Sequence, residues 1–255
     1  MTIPPEIFRE YDIRGVVGSE LTADVARQIG RAYAADMPTP GAPVVLGRDN
    51  REHSPAMASA IADGLVASGC AITDIGTVIT PTFYFARVHL GIDGGVMVTA
   101  SHNPPEFNGF KLAGGFATLY GEQIQAVRRR AETGPFLDGR GRIESREVTP
   151  DYVRMLADRI RLGPRRLRVA LDCGNGTASL VAPQVLAAWG VEVVPLYCDS
   201  DPRFPHHHPD PVDPHNLTDL IDLVRSRGCD IGIGLDGDGD RIGVVSDRGE
   251  IIWGD

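Results

Sequence analysis

Short apolar runs alternate along this chain with segments whose apolar residues recur at helical spacing, and that alternation confines it to the α/β class. The runs are PVVL (43–46), VMV (96–98), LRVAL (167–171), VEVVPL (191–196) and IGIGL (231–235). Strands this apolar, joined through helices, predict largely parallel sheets covered on both faces. Thr22 opens a helical segment with Val25, Ile29 and Tyr33 on one side. Ser54 and Pro55 are expected at the N-cap and first position of a second helix, with Met57, Ile61 and Leu65 buried and Gly69 ending it. Thr149–Pro150 opens another with Val153, Leu156 and Ile160. Asn216 is expected to cap a fourth, burying Leu217, Leu220, Ile221 and Val224 and stopping at Gly228.

The order of elements repeats. VVLGRDN (44–50), a helix ending at Gly69 and the strand AITDIG (71–76) are echoed by VALDCGN (169–175), a helix ending at Gly190 and VEVVPL (191–196). A length of 255 residues also suits two domains at roughly 100–200 residues each. The expectation is two topologically similar α/β/α domains with mixed, largely parallel sheets, 1–148 and 149–255, divided at the polar stretch GRGRIESREV (139–148). Arg128–Arg130 reads as a solvated helix face. Ile242–Ser246, Asp247–Gly249 and Glu250–Trp253 read as a hairpin with a three-residue loop.

Charge narrows the partners. With 25 Lys and Arg against 34 Asp and Glu, the net charge is −9, which disfavours a broad grip on nucleic acid or on an anionic membrane. No apolar run of about 18 residues occurs, and the amino-terminal MTIPPEIFREYDIRG is not leader-like, so a cytoplasmic location is expected. Cys70, Cys173, Cys198 and Cys229 are far apart in sequence with no C-x-x-C pair, and are expected to be reduced core or loop residues.

Two loops carry chemistry. Asp236, Asp238 and Asp240, in DGDGDR after a buried strand, lie where α/β sheets place ligands. At i, i+2, i+4 spacing they converge if the chain is near-extended, with Gly237 and Gly239 allowing close approach and positive φ. Converging carboxylates call for a hard cation, Mg²⁺, Mn²⁺ or Ca²⁺, though a metal-free Asp-Gly turn also fits. An EF-hand does not: its sixth and twelfth positions would be Arg241 and Asp247, and a hairpin follows. The second loop, Thr99–Lys111 (TASHNPPEFNGFK), places Ser101 before Pro104–Pro105, which forbid an ordinary helix start. Ser101 is expected to present an accessible hydroxyl. Ser101 and His102 are expected to point to opposite sides if extended, and G-x-S-x-G is absent, which argues against a hydrolase. A turn held by Thr and Asn side chains fits the loop equally well.

FREYDIRG (8–15), GRDNR (47–51), TASHNPPEFNGFK (99–111), LDCGNGTAS (171–179), FPHHHPDP (204–211) and DGDGDR (236–241) together resemble the α-D-phosphohexomutase family, which includes phosphoglucomutases, phosphomannomutases and phosphoglucosamine mutases. FPHHHPDP and PPEFNGFK look more like the phosphomannomutase/phosphoglucomutase type; phosphoglucosamine mutase is the alternative within the family. The resemblance implies a phosphoserine at Ser101, a Mg²⁺ held by Asp236, Asp238, Asp240 and a phosphoserine oxygen, and exchange of hexose 1- and 6-phosphates through a hexose 1,6-bisphosphate. It gives Lys111 and Arg241 the transferring phosphoryl group, with His102 supporting the serine loop or shuttling a proton, and places Tyr11 and Arg14 along the substrate cleft. Simpler roles exist for each: a solvated lysine, an ion pair within the acidic loop, a structural imidazole, and inter-element packing. His206–His208, among Pro205, Pro209 and Pro211, read as a rigid loop.

Family members have four domains, and these motifs belong to the first two. No counterpart occurs of the third-domain G-E-x-S-G-H loop or the fourth-domain R-x-S-N-T-x-P loop. Three explanations fit: an excised piece, a natural split enzyme with a partner chain supplying the rest, or a degenerate homologue. The rival from another class is a non-catalytic phosphosugar- or metal-binding module.

Overall fold

The computed structural model describes residues 3–37, 39–115 and 117–254. The chain forms two compact units, Met1–Thr77 with Phe83–Glu147, and Val78–Thr82 with Val148–Asp255. A single cut after residue 148 therefore does not describe it. The segment Val78–Thr82, expected in the first domain, belongs to the second, where Ile79 packs with Leu171, Ala178 and Val181.

The first unit is built from β1 (Ile13–Val16), α1 (Ala23–Asp36), β2 (Val44–Arg48), α2 (Ser54–Ala67), β3 (Ala71–Thr77), most of α3 (Thr80–Leu90), β4 (Gly94–Val98), β5 (Phe107–Gly114), β6 (Ala117–Thr118), α4 (Glu122–Thr133) and β7 (Arg142–Ser145). Its sheet runs β1-β5-β4-β2-β3-β7, with β6 on β5. β4, β2, β3 and β7 are parallel, and β5 runs against both its neighbours. Val44, Val45 and Leu46 are all buried because both faces of β2 are covered. Val96 and Val98 join the core formed with α1, α2 and α4, while a Cβ built on Gly95 would meet Phe83 and Arg87 of α3 on the other face.

Sequence signals at the helix ends held in part. Thr22 caps α1, its hydroxyl accepting from the Val25 amide at 3.2 Å. His53, not Ser54, occupies the N-cap of α2, and Ser54 is the first helical residue, its hydroxyl donating to Asp49. α1 and α2 pack backbone to backbone, which glycine makes possible. A Cβ on Gly30 would sit 2.4 Å from the Ile61 carbonyl, and one on Gly64 would sit 2.1 Å from that of Arg27. The arginine run on α4 forms ion pairs, Arg128 with Glu132, Arg129 with Glu122 and Arg130 with Asp36.

The second unit contains α5 (Thr149–Arg159), β8 (Arg168–Asp172), α6 (Ala182–Ala188), β9 (Glu192–Leu196), α7 (Thr218–Arg227), β10 (Ile231–Leu235), β11 (Ile242–Ser246) and β12 (Ile251–Ile252), in a sheet ordered β12-β11-β10-β8-β9. Ala170 packs with Leu220 and Val224 of α7, while its neighbour Leu171 faces the opposite layer, with Val185 of α6 and Leu156 of α5. Asn216 does not cap α7. Asp213 caps the preceding 3-10 turn by accepting from the His215 amide, Leu217 takes the α7 N-cap, and Asn216 donates to the Asp210 carbonyl at 2.9 Å. Gly228 ends α7 in the left-handed region, φ 59°. Ile160 takes the C-cap of α5 with extended backbone, which carries it out of the helix's apolar face, and is exposed; Ile221 is only half-buried. The hairpin closes through the Ser246 amide and Glu250 carbonyl at 2.8 Å, leaving three residues in its loop.

The two sheets share one core topology. Spatial order β5-β4-β2-β3 in the first matches β11-β10-β8-β9 in the second, with the same three parallel strands and one antiparallel neighbour. Among the described residues, no helix is long and apolar enough to cross a membrane.

Candidate functional site

The serine loop and the acidic loop occupy equivalent places in this topology: the connections β4 to β5 and β10 to β11. Each lies at the carboxyl end of a parallel strand, where open α/β sheets bind ligands.

In the first unit, the Asp49 amide donates to the Val98 carbonyl at 2.9 Å, and the Thr99 amide donates to that of Gly109 at 3.0 Å, anchoring the start of the loop. The Thr99 hydroxyl then accepts from the Ser101 amide at 2.8 Å. Ser101 is held at φ 52°, a strained conformation for a residue with a Cβ, and is 3% exposed. The expected accessible hydroxyl is therefore a buried one. The turn at Ser101 also brings its Oγ to 3.3 Å from Nδ1 of His102. Adjacent side chains diverge only on an extended chain, and a left-handed residue is not extended.

The fork that holds this loop is Arg51, which sequence reasoning did not single out. Its Nη2 donates to the carbonyls of Ser101 at 2.8 Å and Asn103 at 2.6 Å, and its Nη1 to those of Pro104 at 2.7 Å and Phe107 at 3.2 Å. Only a planar guanidinium offers so many donors in fixed directions. Its charge is balanced by Asp49, 3.2 Å away, and both side chains are 1% exposed. Asp49 in turn accepts from the Ser54 hydroxyl and from the Arg51 amide, and Asn108 donates to Ser54 Oγ at 2.9 Å. Burial pushes the Asp49 carboxyl above its ordinary value, against the opposing pull of Arg51 and its hydrogen bonds. GRDNR carried the clue, an Asp-x-Arg pair immediately after a strand.

The other residues expected in this unit are distributed around the loop. Arg14 on β1 donates to Asn103 Oδ1 at 2.6 Å and pairs with Asp12, so it is tied to the serine loop. Lys111 lies on β5 opposite Met97, half-buried. Tyr11 is 67% exposed.

In the second unit, the chain folds around Asp236. Its Oδ1 accepts from the amides of Asp240 at 2.9 Å and Arg241 at 3.0 Å, and its Oδ2 from Arg241 Nε at 3.1 Å. Arg241 also reaches Asp210 at 3.3 Å, so it is an ion-pair partner of the loop in this structure. Thr80, a residue without any sequence signal, donates its hydroxyl to Asp238 Oδ2 at 2.7 Å and its amide to the Asp238 carbonyl at 2.9 Å. Gly239 takes the positive φ, 72°. Close approach to this loop is required of Gly176, whose Cβ would lie 2.9 Å from the Gly237 carbonyl. Asp236, Asp238 and Asp240 each offer a carboxylate oxygen within 4.8 Å of the others, the first two buried and the third exposed. An all-oxygen set of three carboxylates that close suits a hard divalent cation such as Mg²⁺.

The histidine run forms a polar cluster. His206 stacks on Tyr197 and bonds to Asn175 at 2.7 Å, while Nε2 of His207 lies 3.0 Å from Asp172. Burial alone would lower the His207 pKa, but the Asp172 carboxylate, the His208 carbonyl and the Asp219 charge together raise it.

The description "Phosphoglucomutase/phosphomannomutase, alpha/beta/alpha domain I" fits residues 5–138, and domain II of the same family fits residues 150–249. The chain is 47% identical over 255 residues to the phosphomannomutase/phosphoglucomutase of Pseudomonas aeruginosa, covering 100% of itself and 55% of that protein. It is 41% identical over 256 residues to the phosphoglucomutase of Neisseria meningitidis serogroup A, covering 99% and 55%. A crystal structure of a phosphoglucomutase/phosphomannomutase family protein from Burkholderia thailandensis superposes with a TM-score of 0.95 at 43% identity, covering 99% of this chain and 57% of the other. The chain thus spans about half the length of the curated relatives it matches.

Proposed function

Because the chain belongs to the phosphoglucomutase/phosphomannomutase family, we propose that it is a hexose phosphate mutase acting on the 1- and 6-phosphates of mannose, glucose or both. The observation that carries this reading is the pairing of a strained serine with an acidic triad on topologically equivalent loops. Ser101 Oγ is the proposed phosphoryl acceptor and donor, and a hexose 1,6-bisphosphate the partner from which it is loaded.

The residues have separable tasks. Arg51 and the Thr99 hydroxyl fix the backbone of Ser101, so little reorganisation is required when Oγ attacks phosphorus. His102 Nδ1, at 3.3 Å, is in reach of the hydroxyl proton. Lys111 and Arg241 are the proposed cationic partners of the transferring group, and Tyr11 and Arg14 the proposed sugar-phosphate contacts. Asp236, Asp238 and Asp240 would hold Mg²⁺, with a phosphoserine oxygen as a further ligand. When bound, Mg²⁺ neutralises negative charge and polarises the transferring group. Arg241 already neutralises part of Asp236, so the triad presents less than its formal charge.

A second reading is a phosphosugar- and cation-binding module that turns over only with a partner chain; an acidic triad complete within the second unit favours it. Coupled conversion of mannose 1-phosphate and glucose 1-phosphate, with Mg²⁺ and a hexose bisphosphate primer, tests both. Turnover by the chain alone supports the first reading. Phosphosugar binding with turnover only after a partner is added supports the second. Neither binding nor turnover overturns both.

A further inference from the structure

Cys173 and Cys198 are 25 residues apart, yet their Sγ atoms lie 3.4 Å from each other. Topology brings them together. β8 and β9 are parallel with Asp172 opposite Leu196, so the chain leaves both strands at the same edge, and the Cys173 amide donates to the Leu196 carbonyl at 3.2 Å. Cys173 is fully buried, and Cys198 is half-buried, within reach of solvent. Cys70 and Cys229 are both buried.

A disulfide needs an S–S separation of about 2.05 Å, so closure requires a movement of little more than an ångström. Neither cysteine is locked in a strand. Cys173 begins a turn whose Gly174 and Asn175 have φ 49° and 58°, and Cys198 follows Tyr197 at φ 49°. We propose that Cys173 and Cys198 form a reversible dithiol–disulfide site that is oxidised by peroxide. Cys198 attacks one peroxide oxygen, the O–O bond breaks, and Cys198 becomes a sulfenic acid as one water leaves. The Cys173 sulfur then attacks the Cys198 sulfur, the S–O bond breaks, and the second water leaves with the Cys173 proton. Two thiols are oxidised by two electrons and one peroxide is reduced to two waters.

The assignment of roles follows exposure, and the acidities agree with it. The hydrogen bond between the two sulfurs, with burial, pushes the Cys173 thiol well up, while the same bond draws the Cys198 thiol down. Cys173 also anchors a turn that touches the acidic loop. Its carbonyl accepts from the Gly176 amide at 2.7 Å, and the next amide, Thr177, donates to the Gly237 carbonyl at 2.9 Å.

The test treats the 255-residue chain with one equivalent of hydrogen peroxide, alkylates the remaining thiols and maps the digest by mass spectrometry. The expected result is a Cys173–Cys198 peptide pair lacking two hydrogens, restored by dithiothreitol, with Cys70 and Cys229 alkylated. In Cys173→Ser, dimedone should trap a sulfenic acid on Cys198. In Cys198→Ser, oxidation of Cys173 should slow by at least about tenfold. A link through Cys70 or Cys229, the absence of any Cys173–Cys198 link, or unchanged oxidation of Cys173 in Cys198→Ser overturns the proposal.

Discussion

The guanidinium of Arg51 donates to the carbonyl of Ser101 at 2.8 Å, so the residue proposed to carry the phosphoryl group is held through its backbone by a buried charge 50 positions away. Three further carbonyls of the same loop converge on that guanidinium. The left-handed turn at Ser101 is thereby held through its backbone.

Arg51→Ala should destabilise the first unit by about 3 kcal/mol, because Asp49 is left buried without its counter-charge. Arg51→Lys, which keeps the charge but loses the fork, should fold while loading phosphate on Ser101 at least about tenfold more slowly. Urea unfolding and intact-mass kinetics with glucose 1,6-bisphosphate measure the two effects. A lysine variant that loads at the wild-type rate would remove the positioning role.

Gly64→Ala should cost about 2 kcal/mol, since its Cβ would be driven into the Arg27 carbonyl at the contact of α1 and α2. Gly163→Ala, with open space around its Cβ, should leave the urea midpoint unchanged. Equal midpoints for the two variants would show that the helices tolerate a wider separation.

Asp238→Asn should weaken Mn²⁺ or Mg²⁺ binding by more than about tenfold in calorimetry, with little effect on folding. Thr80→Val removes the hydroxyl that orients Asp238 and should weaken binding by about tenfold. Cation binding indifferent to both substitutions would reduce the acidic loop to a structural turn.

The His207–Asp172 pair should make stability pH-dependent. The folded-state pKa of His207 is raised, so its contribution is complete below the unfolded value of about 6.5 and is lost as pH rises through the higher folded value. Urea midpoints of the wild type relative to His207→Gln should converge as pH increases from about 6 upward. A difference that stays constant or grows would contradict this sign.

Regular features were legible where a local cause sufficed. Val25, Ile29 and Tyr33 recur at helical spacing and are buried in α1, and Gly228 ends α7 as a residue free to take positive φ. Caps were less legible, since Ser54 and Asn216 have the right chemistry but their side chains are claimed by Asp49 and the Asp210 carbonyl. The three residues of the triad were legible, but they converge through a turn, with the Gly239 amide donating to the Asp236 carbonyl at 3.1 Å, and not through the near-extended chain expected of their spacing. Arg51, Thr80 and the Cys173–Cys198 contact were not legible, for each depends on chain segments brought together by strand order. Exposure of Ser101 was misjudged because loop chemistry says nothing of how far the loop folds inward.

Phosphate on Ser101 is the direct measure of the proposed chemistry. The chain, incubated with glucose 1,6-bisphosphate and Mg²⁺, should gain one phosphate by intact mass, mapped to Ser101 and absent from Ser101→Ala. Phosphate mapped to another residue, equal phosphate on the alanine variant, or no phosphate on the wild type would contradict it.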